Sequence, residues 1–174
     1  RFDAKIALLF LIVPVCLVAS SILQGSSGQI GPDSDDVMRL VQIKDLLNGQ
    51  DWFDLHQYRM GPDGGTLMHW SRLADLPILA LYSLFDLFLP SDTALVWAYS
   101  AWPPLSVLVV LGGLYAGARH VSDRGAALAC LVLGVFVYAT NYRFSPGAID
   151  HHNLQLGLTA LAMGLALDPL RRAG

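Results

Sequence analysis

The sequence predicts an all-α integral membrane protein with about four transmembrane helices and a large helical loop outside the membrane. Two observations support this class. Hydrophobic residues make up 54% of the chain and charged residues only 14%, whereas soluble domains usually carry about 25% charged residues. The apolar residues are also gathered into runs that polar segments separate. The chain has no basic tract or nucleic-acid-binding motif, so nucleic acid is not an expected partner.

The first predicted span covers residues 6–23, an apolar run that is just long enough to cross a bilayer as a helix. Arg1 and Lys5 precede it. A cleaved signal peptide has the same pattern, and residues 19–21 could serve as its cleavage site. We favour a permanent span and keep the signal peptide as the alternative.

The second predicted span covers residues 94–118, and aromatic side chains near its ends resemble the belts that anchor helices at membrane surfaces. These residues are Trp97, Tyr99, Trp102 and Tyr115. Pro103 and Pro104 lie inside the run and predict a kink, because proline lacks the N–H that a helix interior requires. Two shorter runs, 125–140 and 153–168, complete the set of four.

Small residues are a feature of the fourth run. Gly157, Ala160 and Gly164 line one helical face, which predicts close packing against another helix. Cys16 and Cys130 each lie within an apolar run. Paired cysteines would be unusual there, so we interpret them as packing residues rather than as a disulfide.

Residues 76–89 form an ambiguous apolar run, because it is short for a span and contains Asp86. The distribution of basic residues decides between the two models. If this run does not span, all the basic pairs fall on one side, as the positive-inside rule requires; these are Arg1/Lys5, Arg119/Arg124 and Arg171/Arg172. If it spans, the last two pairs move outside. We therefore predict an external loop over residues 24–93, with an interfacial helix at 76–89.

The first part of this loop has the pattern of an amphipathic helix. Apolar residues recur at helical spacing over residues 36–47. Asp33 or Ser34 can cap its start, because a short oxygen-bearing side chain can accept a free N–H of the first turn. Asn48-Gly49 can end it.

This topology brings two clusters of ionisable residues to the external side of the membrane, residues 33–36 (Asp-Ser-Asp-Asp) and residues 150–152 (Asp-His-His). Ionisable residues at a membrane boundary are costly and usually mark a site. Aspartate oxygens suit Mg²⁺ or Mn²⁺, and Mn²⁺ also accepts histidine. Nearby Arg143 could extend to lipid headgroups, or it could be a charge partner for the acids or for a phosphate.

Asp150 and His152 can point at one ion if the backbone is extended, because alternate side chains then share a side. The same alternation predicts that His151 points away, so that its removal would have a milder effect. Asp35 or Asp36 could supply a further ligand from the loop. In the alternative interpretation, the acids cap helices and the histidines lie at the membrane interface.

The order of these motifs resembles the amino-terminal part of the catalytic subunit of oligosaccharyltransferases, the enzymes of asparagine-linked glycosylation with a GT-C membrane fold. Asp35 precedes residues 43–49 (Ile-Lys-Asp-Leu-Leu-Asn-Gly) as in the family's first loop, and residues 103–105 (Pro-Pro-Leu) resemble its second span. Residues 62–70 (Pro-Asp-Gly-Gly-Thr-Leu-Met-His-Trp) resemble a segment of archaeal members. Residues 141–152 (Asn-Tyr-Arg-Phe-Ser-Pro-Gly-Ala-Ile-Asp-His-His) resemble the second acidic motif and are the most specific element.

The resemblance implies an inverting glycosyltransferase that uses a polyprenyl-phosphate-linked sugar donor at the outer face of a bacterial or archaeal plasma membrane. It implies that Asp35, Asp150 and His152 bind Mg²⁺ or Mn²⁺ and that Asp35 also orients the acceptor. Arg143 would lie beside them, so Asp35, Asp150 and Arg143 are the expected catalytic residues. The sugar stays open, as does the acceptor, whether protein or another molecule.

Members of this family are much longer, so the resemblance predicts that these 174 residues belong to a larger enzyme and are inactive alone. The alternative is a non-enzymatic membrane scaffold or transport module, whose acids serve structure or ion passage. A transporter would more often bury its charges in mid-span. The position of the charges at predicted span ends therefore favours the enzyme.

Overall fold

The computed structural model describes residues 4–121, 123–139 and 141–173, and this part of the chain is mostly helical, as predicted. Two residues of the predictions lie outside the described part: Arg1, of the first basic pair, and Thr140, the last residue of the predicted span 125–140. The side chains of Lys5, Arg171 and Arg172 also lie outside it. In chain order the elements are α1 (Ala4–Leu23), α2 (Ser34–Leu47), β1 (His56–Gln57), β2 (Thr66–Leu67), a 3-10 turn (Arg72–Ala74), α3 (Leu76–Phe85), α4 (Ser91–Val121), α5 (Arg124–Ala139), a second 3-10 turn (Tyr142–Phe144) and α6 (His152–Ala173).

Helix α4 is the axis of the fold, because α1, α3, α5 and α6 all pack against it. Its later half shares an apolar core with α1 and α5, around Val107 and Leu111. Its first half shares a second core with α2 and α3, around Leu95 and Ala98. One long helix therefore joins the bundle to the loop between α1 and α4.

Two helices in the described part of the chain are long and apolar enough to cross a membrane. They are α1, over Ile6–Leu23, and α4, over Ser91–Val121. Helix α5 is apolar but shorter, over Arg124–Tyr138. Two of the four predicted spans therefore meet this criterion, and the four-span arrangement stays a prediction.

The loop between α1 and α4 is built on two short helices and a hairpin. Asp33 caps α2 as predicted, because its side chain accepts the N–H of Asp35. Helix α2 ends at Leu47 with Asn48 as its C-cap, followed by Gly49 at a φ of +101°. Helix α3 ends at Phe85, before the predicted residue 89. Its length of about 15 Å is too short to cross the hydrocarbon of a bilayer.

Helices α4 and α6 approach closely through small residues, which confirms the predicted packing face of α6. A Cβ added at Gly113 would overlap the backbone of Ala160, and a Cβ added at Gly164 would overlap the carbonyl of Gly113. Gly157 lies against Val109 in the same interface. This contact holds the start of α6, where the Asp-His-His motif lies, against the bundle.

Pro103 and Pro104 lie inside α4 and change its hydrogen bonding. Because Pro103 has no N–H, it cannot bond the carbonyl of Tyr99 one turn earlier. That carbonyl instead accepts the N–H of Gly147, at 3.3 Å. The Tyr99 hydroxyl also donates to the carbonyl of Gly28, at 2.6 Å. The proline therefore leaves an acceptor on α4 for the segment that leads into α6.

The two cysteines are both free thiols, as predicted. Cys130 is half-buried on α5, in keeping with a packing role. Cys16, by contrast, is exposed on α1, so the expectation that it packs inside the fold is not met in the described part of the chain.

Candidate functional site

The two clusters of ionisable residues meet in space. Asp36, buried on α2, accepts the backbone N–H of Asp150 at 2.7 Å. Close by, the N–H of Gly31 donates to the carbonyl of Gly147 at 2.8 Å. The loop that follows α1 therefore touches the segment that precedes α6, and both clusters belong to one site.

This meeting depends on Gly147. Its φ is +88°, a backbone conformation that residues with a side chain rarely adopt. A Cβ at this position would also overlap the carbonyl oxygen of Gln29. Glycine is therefore required at the position where the two segments cross, directly after Pro146.

The carboxylate of Asp150 is the centre of the site, and its side chain is only 3% exposed. Its Oδ1 accepts the N–H of His151 at 2.7 Å and lies 2.5 Å from Nδ1 of the same residue. Its Oδ2 lies 3.2 Å from Nε2 of His152 and 3.5 Å from Nη1 of Arg143. Neither contact has hydrogen-bond geometry, so within the described part of the chain Oδ2 is a buried oxygen without a hydrogen-bond donor.

Asp150, His151 and His152 fit a divalent cation. Each offers a ligand atom, and these atoms all lie within 4.8 Å of one another. Two ligands of one ion point at the ion rather than at each other, and at bond lengths near 2.1 Å they are about 3 Å apart. Asp150 Oδ2 and His152 Nε2 have this relation, being 3.2 Å apart without a hydrogen bond between them. The donor set also suits Mn²⁺, which accepts both oxygen and imidazole nitrogen.

Arg143 supplies the positive charge of the site. The side chain of Asn141 accepts its N–H and so caps the 3-10 turn that carries it. The guanidinium lies 3.3 Å from Oδ2 of Asp33 and 3.5 Å from Oδ2 of Asp150. Of the two interpretations left open by the sequence, the structure therefore favours the charge partner of the acids.

Asp35, the expected ligand and catalytic residue, is not the loop acid that meets Asp150. No hydrogen bond or ion pair described in the structure joins its side chain to the Asp-His-His cluster, and it is half-buried. Asp33 and Asp36 face the cluster instead, through Arg143 and through the backbone of Asp150. The reason is helical spacing, because residues three apart, such as Asp33 and Asp36, share a face, whereas Asp35 is rotated by about 100° from Asp36 around the helix axis.

Asp36 lies in a strongly desolvating environment. Burial raises the pKa of its carboxyl above the ordinary value, and the nearby charges of Asp150 and Asp33 act in the same direction. The hydrogen bond from the Asp150 backbone works against this shift. Asp36 therefore acts as a clamp that positions the start of α6, a role that the sequence pattern did not single out.

The prediction that His151 points away from the site was wrong. Its ring contacts the Asp150 carboxylate, and its centroid lies 4.5 Å from that of His152. The alternation argument requires an extended backbone, whereas here the chain turns into α6 and His152 is already the first helical residue. Both imidazoles therefore face the same carboxylate.

An open cleft of about 430 Å³ lies beside the cluster. Polar and aromatic side chains form one part of its wall and leucines of α6 the other. The lining includes His69, Trp70, Ser71, His151, Leu154, Gln155 and Leu158. The Trp70 ring lies 6.2 Å from the His151 ring, between centroids. The His-Trp pair of the loop is therefore a third segment that reaches the site.

A buried ion pair supports this wall of the cleft. Arg39 is 1% exposed and its Nη1 donates to Oδ1 of Asp75 at 2.6 Å. Its guanidinium also lies 4.9 Å from the centre of the Trp70 ring. Arg72, also buried, lies 3.9 Å from Asp75 and donates to the carbonyl of Gln42 at 3.0 Å. The orientation of Trp70 is therefore tied to a desolvated charge network.

Comparison of the chain with models of protein families, with curated proteins and with solved structures finds no match. The site is defined by its own geometry, in which two segments of the loop meet the start of α6 around Asp150.

Proposed function

We propose that this chain is part of a GT-C-type membrane glycosyltransferase, similar to the catalytic subunit of oligosaccharyltransferases. It would transfer a sugar or oligosaccharide from a polyprenyl-phosphate-linked donor to an acceptor at the outer membrane face. One observation carries the proposal. Three polar segments on which the resemblance depends, at residues 33–36, 69–70 and 150–152, meet around Asp150: Asp36 accepts its backbone N–H, and the Trp70 ring lies beside the ring of His151.

The surface of the helices supports a membrane location. Two helices are long and apolar enough to span, and α1, α5 and α6 all expose large apolar side chains. Examples are Leu8, Val15, Leu133, Phe136, Leu158 and Met163. Exposed apolar patches of this extent require a nonaqueous partner. Four helices in a bilayer, with the loop and the site at one surface, would satisfy this requirement.

In this proposal Asp150 and His152 hold Mg²⁺ or Mn²⁺, with His151 beside them. A bound divalent ion would neutralise the phosphate oxygens of the donor and stabilise the departing phosphate. Arg143 lies close enough to Asp150 to add a second positive charge on the same side. Asp35 remains the proposed acceptor-orienting residue, as the resemblance implies, and it lies in the first turn of α2 next to Asp36.

The proposal is tested by metal removal. With the product of the full gene in liposomes and a radioactive sugar carried on polyprenyl phosphate, we expect transfer that EDTA abolishes and Mn²⁺ or Mg²⁺ restores. Transfer at an unchanged rate in EDTA would refute the proposed requirement for a divalent cation. If no sugar is transferred from any polyprenyl-linked donor, the glycosyltransferase itself is refuted and the scaffold or transport module becomes the better explanation.

The non-enzymatic alternative explains less of the geometry. A structural role accounts for Asp36, which accepts a backbone N–H. It does not account for the approach of two imidazoles to the Asp150 carboxylate, whose Oδ2 accepts no hydrogen bond from the described residues. An ion pathway would place charges inside a span, whereas Asp150 precedes α6 and Asp36 lies in the loop helix.

Membrane topology provides a separate prediction. In a chain lacking Cys16 and Cys130, we expect a cysteine at exposed Asp63 to react with an impermeant maleimide in intact cells. A cysteine at exposed Asp123, between α4 and α5, should react only after permeabilisation, because it lies beside the basic pair expected inside. Equal labelling of both positions in intact cells would contradict the arrangement in which the site is external.

A further inference from the structure

We propose that Gln155 is a positioning residue that holds His152 in the form required to bind a cation. This inference rests on the proposed function, because it concerns the cation of the same site. Gln155 lies on α6, three residues after His152 and therefore on the same helical face. It also lines the cleft beside the Asp-His-His cluster.

The contact between the two side chains favours one tautomer of the imidazole. Nδ1 of His152 lies 3.1 Å from Oε1 of Gln155. An amide oxygen only accepts hydrogen bonds, so the two side chains form a hydrogen bond in the tautomer that carries its proton on Nδ1. In a neutral imidazole the other nitrogen, Nε2, then presents a lone pair.

That lone pair faces the Asp150 carboxylate. Nε2 of His152 and Oδ2 of Asp150 are 3.2 Å apart, and Oδ2 accepts no hydrogen bond. In the tautomer with its proton on Nδ1, the Nε2 lone pair and this carboxylate oxygen repel each other at such a distance, even with Arg143 3.5 Å from Oδ2. A divalent cation bound to both atoms would remove the repulsion, so the hydrogen bond from His152 to Gln155 prepares a pair of ligands.

This arrangement has the chemistry of an outer-shell contact at a metal site. A histidine that binds a metal through one ring nitrogen usually donates its other N–H to an oxygen acceptor, which orients the ring and raises its basicity. The amide oxygen of Gln155 occupies this place.

The first experiment measures Mn²⁺ affinity of the purified chain in detergent, by calorimetry or by electron paramagnetic resonance. Gln155→Leu should weaken Mn²⁺ binding by about 10- to 100-fold, the usual effect of losing such a contact. Gln155→Glu keeps an oxygen acceptor and should bind Mn²⁺ at least as tightly as the natural chain. Gln24→Leu is the matched control. Gln24 is exposed directly after α1, and its side-chain amide donates a hydrogen bond to the hydroxyl of Ser20.

The second experiment reads the tautomer directly, by ¹⁵N resonance of histidine-labelled protein without metal. We expect His152 to be protonated at Nδ1 in the natural chain and to lose this preference in Gln155→Leu. A proton on Nε2 in the natural chain overturns the inference, as does an unchanged Mn²⁺ affinity in Gln155→Leu. In both cases the proposed function survives if the natural chain binds Mn²⁺, whereas failure of the natural chain to bind Mn²⁺ overturns the cation site as well.

Discussion

Asp150→Asn should abolish cation-dependent sugar transfer in the full-length protein while leaving the chain folded. Asparagine keeps an oxygen that can accept the N–H of His151, so the start of α6 retains its hydrogen bond. The substitution removes the negative charge that the cation requires. We expect a loss of at least about 100-fold in transfer rate, comparable to the loss of a principal charge-stabilising group, together with loss of Mn²⁺ binding.

The control for this prediction is Asp63→Asn, since Asp63 is exposed at the turn before β2. It should transfer sugar at the natural rate. His152→Ala should lower the transfer rate as Asp150→Asn does. His151→Ala should also lower the transfer rate strongly, because the His151 ring contacts the Asp150 carboxylate. If Asp150→Asn retained full activity with an intact fold, the acids would have a structural role only.

Arg39→Met should produce the largest loss of stability. Among the described residues, it would leave the Asp75 carboxylate, 2% exposed, with the longer 3.9 Å ion pair to Arg72. Removing one partner of a buried ion pair typically costs about 3–5 kcal/mol, because the remaining charge is desolvated and poorly compensated. Thermal unfolding in detergent would measure the loss. Trp70 would also lose the cation that lies 4.9 Å from its ring.

The double variant Arg39→Met, Asp75→Leu separates charge from packing. Replacing both partners by apolar residues should recover most of the lost stability, since no unpaired charge remains. Arg59→Met is the matched control, because Arg59 pairs with Asp45 at 2.6 Å but is 65% exposed. Its loss should be about 1 kcal/mol or less. Equal losses from Arg39→Met and Arg59→Met would contradict the buried network.

Local features of the fold could be predicted because they depend on neighbours in the chain. Short sequence patterns predict three such features: the Asp33 cap, the C-cap of α2 at Asn48 and the small-residue face of α6. The apolar runs likewise predicted where α1 and α4 lie, although α4 extends beyond the predicted residues 94–118 at both ends. Such extensions carry polar residues, which hydropathy alone does not assign to a span.

The sequence by itself also determined which residue types form the candidate site, since Asp150, His152 and Arg143 were identified from motif and position. Their mutual distances could not be predicted, because they arise from contacts between distant segments. The N–H of Gly147 bonds a carbonyl of α4 that Pro103 leaves without a partner. This contact holds the segment before the Asp-His-His motif against α4, while Gly31 and Asp36 join that segment to the loop, and no local pattern encodes these contacts.

Only the tertiary structure decided which members of each cluster face one another. The sequence indicates that either Asp35 or Asp36 could reach the site from the loop. The packing of α2 places Asp36 where its carboxylate accepts the backbone N–H of Asp150. It also turns both imidazoles toward one carboxylate, since the chain enters α6 there rather than continuing as a strand. Side-chain direction depends on the helical phase and on the segments packed against it, and these are properties of the folded chain as a whole.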